Sequence, residues 1–225
     1  MVEQTKYGPV ATHLRLENEH VRVWEMDLAP GEICGLHRHT VDYVLYIVEG
    51  GRIAVESPGM TSNRFPGQSI YELEVGARAI SYVPAGGAES ARNVGRAGRF
   101  REALFEILRP LPPGVANPTF ALTEAAAGRP PQGGEAMLLE NGRIRALELT
   151  LAPGDKAGPR ASPRDAAVFV IEGGRLRQRE VRDGQERLEE IDLASSAVVW
   201  QAGGCERELT NLGPRQYREL RVEFR

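Results

Sequence analysis

The chain repeats itself, and no other feature constrains its fold as much. Glu17-Asn18 opens a stretch that passes through Arg22 and Glu25 to Leu28-Ala29-Pro30-Gly31. Glu140-Asn141 opens another, through Arg145 and Glu148 to Leu151-Ala152-Pro153-Gly154. The same offset of 123 positions carries Val48-Glu49-Gly50-Gly51-Arg52 onto Ile171-Glu172-Gly173-Gly174-Arg175. Roughly 14 of the 36 positions from Glu17 to Arg52 match their partners, too many for chance. Downstream the offset falls to 117, where Ala85-Gly86-Gly87-Ala88-Glu89 answers Ala202-Gly203-Gly204-Cys205-Glu206 and Phe100-Arg101-Glu102 answers Tyr217-Arg218-Glu219. Asn93-Val94-Gly95 answers Asn211-Leu212-Gly213 with one extra residue. The 225 residues read as two homologous domains, over 1–109 and 135–225, joined by a Pro/Gly-rich linker over 110–134. Leu122 to Ala127 is expected to form a short helix in that linker, capped by Thr123.

Both domains read as all-β. Gly 25 and Pro 15 together punctuate the chain into short segments with tight turns. Val41 to Val48 is almost continuously apolar, broken only by Asp42, and Ala166 to Ile171 is its partner. A strand apolar on both sides is covered on both sides. One face is expected to line a barrel. The other is expected to pack through Tyr46, Val48, Phe169 and Ile171, on the second domain or on another subunit, as in a homodimer. A net charge of −3 predicts neither a nucleic-acid footprint nor a membrane surface. The start, Met-Val-Glu-Gln-Thr-Lys-Tyr, has no apolar core behind a basic end, and a cytoplasmic protein is expected. Two cysteines, Cys34 and Cys205, exclude a disulfide scaffold and a cysteine zinc site.

In the first domain Gly31 is followed after five residues by His37-Arg38-His39, then by a strand ending at Gly50. Later come Pro84-Ala85-Gly86-Gly87-Ala88-Glu89 and, after three residues, Asn93. Histidines two apart on a strand share a face, and the chain has only 4 histidines in all. This pair of motifs resembles the cupin superfamily, and the duplication resembles a bicupin. The resemblance implies two tandem jelly-roll β-barrels, with a metal commonly held inside one by three His and one Glu. Two positions depart from the family pattern. Tyr43 stands where the Glu is expected, with Asp42 beside it, and Glu89 stands at the His of the second motif. The expected ligand set is therefore His37, His39 and Glu89, suited to iron, manganese or zinc. Tyr43 is expected to line the pocket with its ring.

Blander readings stand beside these. His37 and His39 could sit solvated at a strand end, and Glu89 on an exposed loop. Asp42 has the opposite parity to Tyr43 and recurs as Asp165, which predicts a shared structural role. Cys34, three residues before His37, is expected on the other face of its strand as a small buried hydrophobe, and Cys205 is read likewise. His13 and His20 are read as surface residues.

The second domain lacks the ligand set: His37 maps to Arg160, His39 to Ser162 and Glu89 to Glu206. A metal-free barrel is expected there. Either an Arg160–Glu206 ion pair occupies the former site, or Pro159 and Pro163 bend the segment outward and leave Arg160 in solvent. Two functions follow. One is a metal-dependent enzyme, of the non-haem iron or manganese oxygenase kind, acting on a small oxygenated or carboxylated molecule. The other is a non-catalytic bicupin that binds a small ligand or serves assembly. No further catalytic residue or organic cofactor is identified, because this fold carries many chemistries.

Overall fold

The computed structural model describes residues 7–58, 68–124 and 134–225. The chain divides into two compact units. The first is built from β1 (His13–Glu17), β2 (Val21–Leu28), β3 (Ile33–Arg38), β4 (Tyr43–Glu49), β5 (Gly51–Glu56), β6 (Ile70–Val75), β7 (Ile80–Val83), β8 (Ala88–Asn93), β9 (Phe100–Ile107) and β10 (Ala121–Thr123). The second is built from β11 (Gly134–Glu140), β12 (Ile144–Leu151), β13 (Lys156–Ser162), β14 (Ala166–Glu172), β15 (Gly174–Arg182), β16 (Gln185–Leu193), β17 (Val198–Gln201), β18 (Cys205–Asn211) and β19 (Tyr217–Phe224). There is no α-helix among the described residues. The helix expected from Leu122 is instead β10, whose backbone groups pair antiparallel with β7 at the end of the sheet; its residues 125–127 lie outside the described residues.

Each unit is two antiparallel sheets. The first has orders β1-β2-β9-β4-β7-β10 and β3-β8-β5-β6; the second has β11-β12-β19-β14-β17 and β13-β18-β15-β16. The orders are the same but for β10. So are the irregularities. Register shifts fall between Leu14 and Leu16, Cys34 and His37, and Ile47 and Glu49. They recur between Met137 and Leu139, Ala157 and Arg160, and Val170 and Glu172. Bulges that repeat this way are built into the backbone plan.

Apolar alternation fills the interior of the first unit with Leu45, Ile47, Ile53, Val55, Phe100 and Leu104. The intervening Val44, Tyr46 and Val48 are buried too, as are Phe169 and Ile171, so the doubly apolar strands are covered on both faces. Two equivalent buried carboxylates of the long sheets are paired. Glu25 meets Arg101 at 2.7 Å and also Arg15. Its repeat partner Glu148 meets Arg218 at 2.6 Å.

The Glu-Gly-Gly-Arg motif has a steric explanation in both units. A Cβ on Gly50 would lie 2.3 Å from the Val75 carbonyl oxygen and 2.6 Å from the Ala77 nitrogen. A Cβ on Gly173 would lie 2.3 Å from the Leu193 oxygen and 2.6 Å from the Ser195 nitrogen. Neither obstacle is a side chain that can swing away. By contrast a Cβ on Gly51 meets nothing closer than 3.9 Å. Gly50→Ala and Gly173→Ala should each lower stability in chemical denaturation by about 1–3 kcal/mol, while Gly51→Ala should stay within about 0.5 kcal/mol of wild type.

Candidate metal centre

His37 is on β3 and His39 immediately follows it, its backbone still bridged to the turn before β8: its N–H donates to Gly87 O at 3.3 Å and its oxygen accepts from Gly86 N at 2.9 Å. Across the ladder, His37 is paired directly with Glu89. All three residues are buried, and one ligand atom from each lies within 4.8 Å of the others. The expected trio is therefore brought together, and the readings of solvated histidines and an exposed Glu89 do not hold. Tyr43, expected to line the pocket, is not among the residues that line the cavity. Its ring stacks on His39 with centroids 4.0 Å apart, and His37 meets His39 edge-on at 5.0 Å.

The polar atoms fit a cation. His37 Nδ1 lies 2.8 Å from the Gly35 carbonyl; donating there fixes the tautomer and leaves Nε2 with its lone pair free. Neither ring nitrogen of His39 has a hydrogen-bond partner; its Nε2 is 3.7 Å from Glu89 Oε1. A buried ring nitrogen without a partner is rare in a finished core. Burial, with the neighbouring His39 second, holds His37 below its ordinary 6.5, so it is neutral at pH 7 and able to donate electrons.

The cavity at this point has a volume of about 20 Å³. Apolar walls come from Leu45, Ile47, Ile53, Val55 and Leu104, joined by Val10 from ahead of β1. Gly8 N donates to Leu36 O at 2.8 Å and anchors that segment. Glu102, buried on β9, is a second carboxylate in the wall. Sequence reasoning passed over it, although Glu102 and Glu219 match between repeats inside strands that are otherwise largely apolar.

Two expectations about facing need correction. Cys34 is not on the opposite face from His37. Cys34 and His37 are three positions apart, but their partners Ala91 and Glu89 are only two apart, so a bulge restores the same facing. Cys34 joins the interior core, with Sγ 3.8 Å from His37 Nδ1. It is a small buried group, as is Cys205. Asp42 behaves as its parity implies. Its carboxylate accepts from the Tyr82 hydroxyl at 2.6 Å and from Ala85 N at 2.7 Å, and Asp165 likewise accepts from Gly203 N at 2.7 Å.

The second correction concerns the second unit. Arg160 faces Arg207 across the β13–β18 ladder, and Glu206 faces Ala161. Glu206 points to the surface beside Arg179, at 3.4 Å. Neither reading of Arg160 holds: it is only partly exposed, and it pairs with Glu223 at 2.7 Å and with Glu135. The error lies in the offset. Asp42 accepts from Ala85 where Asp165 accepts from Gly203, and Asn93 caps its loop as Asn211 does. Both pairs give an offset of 118, whereas the sequence match of Ala85–Glu89 gave 117. The counterpart of Glu89 is thus Arg207. Ser162 is buried and accepts from Arg221 Nη2 at 2.9 Å, and Arg221 stands where the first unit has Leu104. Arg207 and Arg221 were not singled out from the sequence.

The Cys34 thiol is pushed up to about 12 by burial first, then by the nearby Glu102 and Glu89 carboxylates. Reactivity follows the thiolate. Iodoacetamide at pH 8 should leave Cys34 unmodified in the native protein and label it fully in denaturant, as read by peptide mass spectrometry. Rapid labelling in the native state would contradict this environment.

No protein-family model and no curated protein sequence matches the chain. Solved structures match it in three dimensions. The 7S globulin of Momordica charantia superposes with a TM-score of 0.67 at 13% identity, over 91% of this chain and 73% of that one. A single-substitution variant of oxalate decarboxylase from Bacillus subtilis gives 0.63 at 15%, over 96% and 78%. A cupin 2 conserved barrel domain protein from Leptotrichia buccalis gives 0.51 at 12%, over 99% and 92%. Likeness at these identities speaks to the fold: this chain is built as a bicupin, two tandem jelly-roll barrels of the cupin type.

Proposed function

We propose that the first barrel is a divalent-metal centre, held by His37, His39 and Glu89, that acts on a small oxygenated or carboxylated molecule. The observation that carries the reading is the buried His39 ring with no hydrogen-bond partner on either nitrogen, set beside His37 and Glu89. Two imidazoles and one carboxylate suit iron, manganese or zinc and leave coordination positions open. A metal bound there would supply Lewis acidity toward an oxygen ligand. The chain's own residues do the rest. Gly35 fixes the His37 tautomer, Tyr43 holds the His39 ring by stacking, and the aliphatic wall excludes bulk water.

One observation favours a second reading, in which the metal serves structure or small-ligand binding without turnover. A cavity of about 20 Å³ is close to the room needed for one water. A substrate of several heavy atoms enters only if Val10 and its neighbours shift.

Metal analysis of the purified, metal-reconstituted protein tests the first reading. Wild type should bind about one divalent ion per chain. His37→Ala/His39→Ala should lose more than the ~10–100-fold in affinity that removal of an outer partner costs. Equal metal content in the two would overturn the assignment. Cobalt-loaded protein separates enzyme from structural site: visible bands that shift on adding glycolate show open positions that a small oxygen ligand reaches, and bands that do not shift favour the second reading.

The pH dependence has a definite sign. Because His37 is held below 6.5, protons compete with metal for it only in more acidic solution than for a free imidazole. Metal retention measured by equilibrium dialysis should be flat from pH 8 to pH 6.5 and fall below that.

A further inference from the structure

The second barrel has its own cavity, of about 340 Å³, far larger than that of the first. Such a volume is in the range that lodges small organic ligands. Its wall replaces the metal ligands with guanidinium groups: Arg160 for His37, Arg207 for Glu89, and Arg221 in place of Leu104.

Most of these charges are already engaged. Arg160 pairs with Glu223 and Glu135. Arg221 donates to Glu223 at 3.1 Å, to Gln201 at 2.5 Å and to Ser162 at 2.9 Å. At the cavity edge, Lys156 pairs with Glu208 at 2.8 Å. Arg207 differs. It is about nine-tenths buried, its Nε and Nη2 donate to the neutral oxygen of Gln178, and its Nη1 has no partner at all. Glu219, buried in the same wall, accepts from the Tyr217 hydroxyl at 2.6 Å. Arg207 and Glu219 feel each other's charge, yet no ion pair joins them among the described residues.

A cavity that holds a cation and a carboxylate apart, each short of a charged partner, fits a ligand carrying both complements. Net charge points the same way. With the groups directly bonded to the wall included, Arg160, Arg207 and Arg221 are balanced by Glu135, Glu219 and Glu223, and Lys156 by Glu208. A plain anion or cation would leave a buried excess charge, which is costly, whereas a zwitterion adds none. The rest of the wall includes Leu149, Leu209 and Ala157. We infer that the second barrel binds a free aliphatic amino acid, its carboxylate on Arg207, its ammonium on Glu219 and its side chain against Leu149 and Leu209. This site is independent of any metal in the first barrel.

Isothermal titration of the full chain with L-leucine tests the inference, with two truncated probes: 4-methylpentanoate lacks the amine and 3-methylbutylamine lacks the carboxylate. L-Leucine should bind saturably at one site, and each truncated probe about tenfold or more weaker. Arg207→Gln should abolish the leucine signal, with folding checked by its thermal midpoint. Should that variant not fold, Ala157→Leu narrows the cavity without removing a charge and should also weaken binding. His37→Ala/His39→Ala should bind leucine as wild type does. Absence of leucine binding overturns the inference. So does equal binding of 4-methylpentanoate, which would leave Glu219 without a role, and so does loss of binding in the histidine variant, which would place it in the first barrel.

Discussion

One extra residue in β3 governs what the first barrel can do. An ideal strand would send Cys34 and His37 to opposite faces. The bulge between them turns both inward and sets His37 directly against Glu89. Without it the imidazole and carboxylate would fall out of step, and His39 would have nothing to converge on. The same bulge in β13 turns Ala157 and Arg160 onto one face and sets Arg160 against Arg207. Backbone irregularity, not side-chain identity, decides which positions look into each barrel.

Around those positions the two units keep the same supports. Asn93 donates to Leu28 O at 2.9 Å while its oxygen accepts from Gly95 N at 2.9 Å. Asn211 repeats both bonds with Leu151 O, at 3.0 Å, and Gly213 N, at 2.9 Å. Asp42 and Asp165 each hold the turn ahead of β8 and β18. Glu25 and Glu148 are buried and paired to Arg101 and Arg218. Each sits in a small network, since Glu25 also meets Arg15 and Arg218 also meets Glu172 at 2.8 Å. These groups bond to backbone or to each other, so they are indifferent to what fills the barrel. His37, His39, Glu89 and Leu104 on one side, and Arg160, Ser162, Arg207 and Arg221 on the other, are free to differ.

Much of this was legible in the chain. Repeats at offsets of 123 and then 117 positions announce two like domains; the same-face spacing of His37 and His39 pairs them, and the resemblance to the cupin motifs adds Glu89. What was hidden follows from local backbone geometry. Strand parity misplaced Cys34 because a bulge leaves no compositional mark. The match of Ala85–Glu89 to Ala202–Glu206 chose Glu206 over Arg207, since small turn residues align equally well one position out of register. Glu102 escaped notice because a carboxylate within an apolar strand reads as the solvent face until the ladder shows otherwise. Leu122 and Thr123 favoured a helix by local sequence, yet the open edge of β7 offered unmet hydrogen-bonding groups, and tertiary pairing prevailed.

The wall supplied by Val10 comes from outside the barrel strands. Val10 and Ala11 are buried in the core of the first barrel, yet they precede its first strand. The segment is tied to the barrel by Gly8 N to Leu36 O at 2.8 Å and by a weak contact from Cys34 Sγ to Val10 O at 3.8 Å. Thr12 extends the tie, its hydroxyl donating to Glu25 O at 2.9 Å and accepting from Asp27 N at 3.0 Å. The apolar side of the first cavity is therefore completed by residues outside the strands, and shortening Val10 to alanine would widen that cavity while leaving its donor atoms untouched.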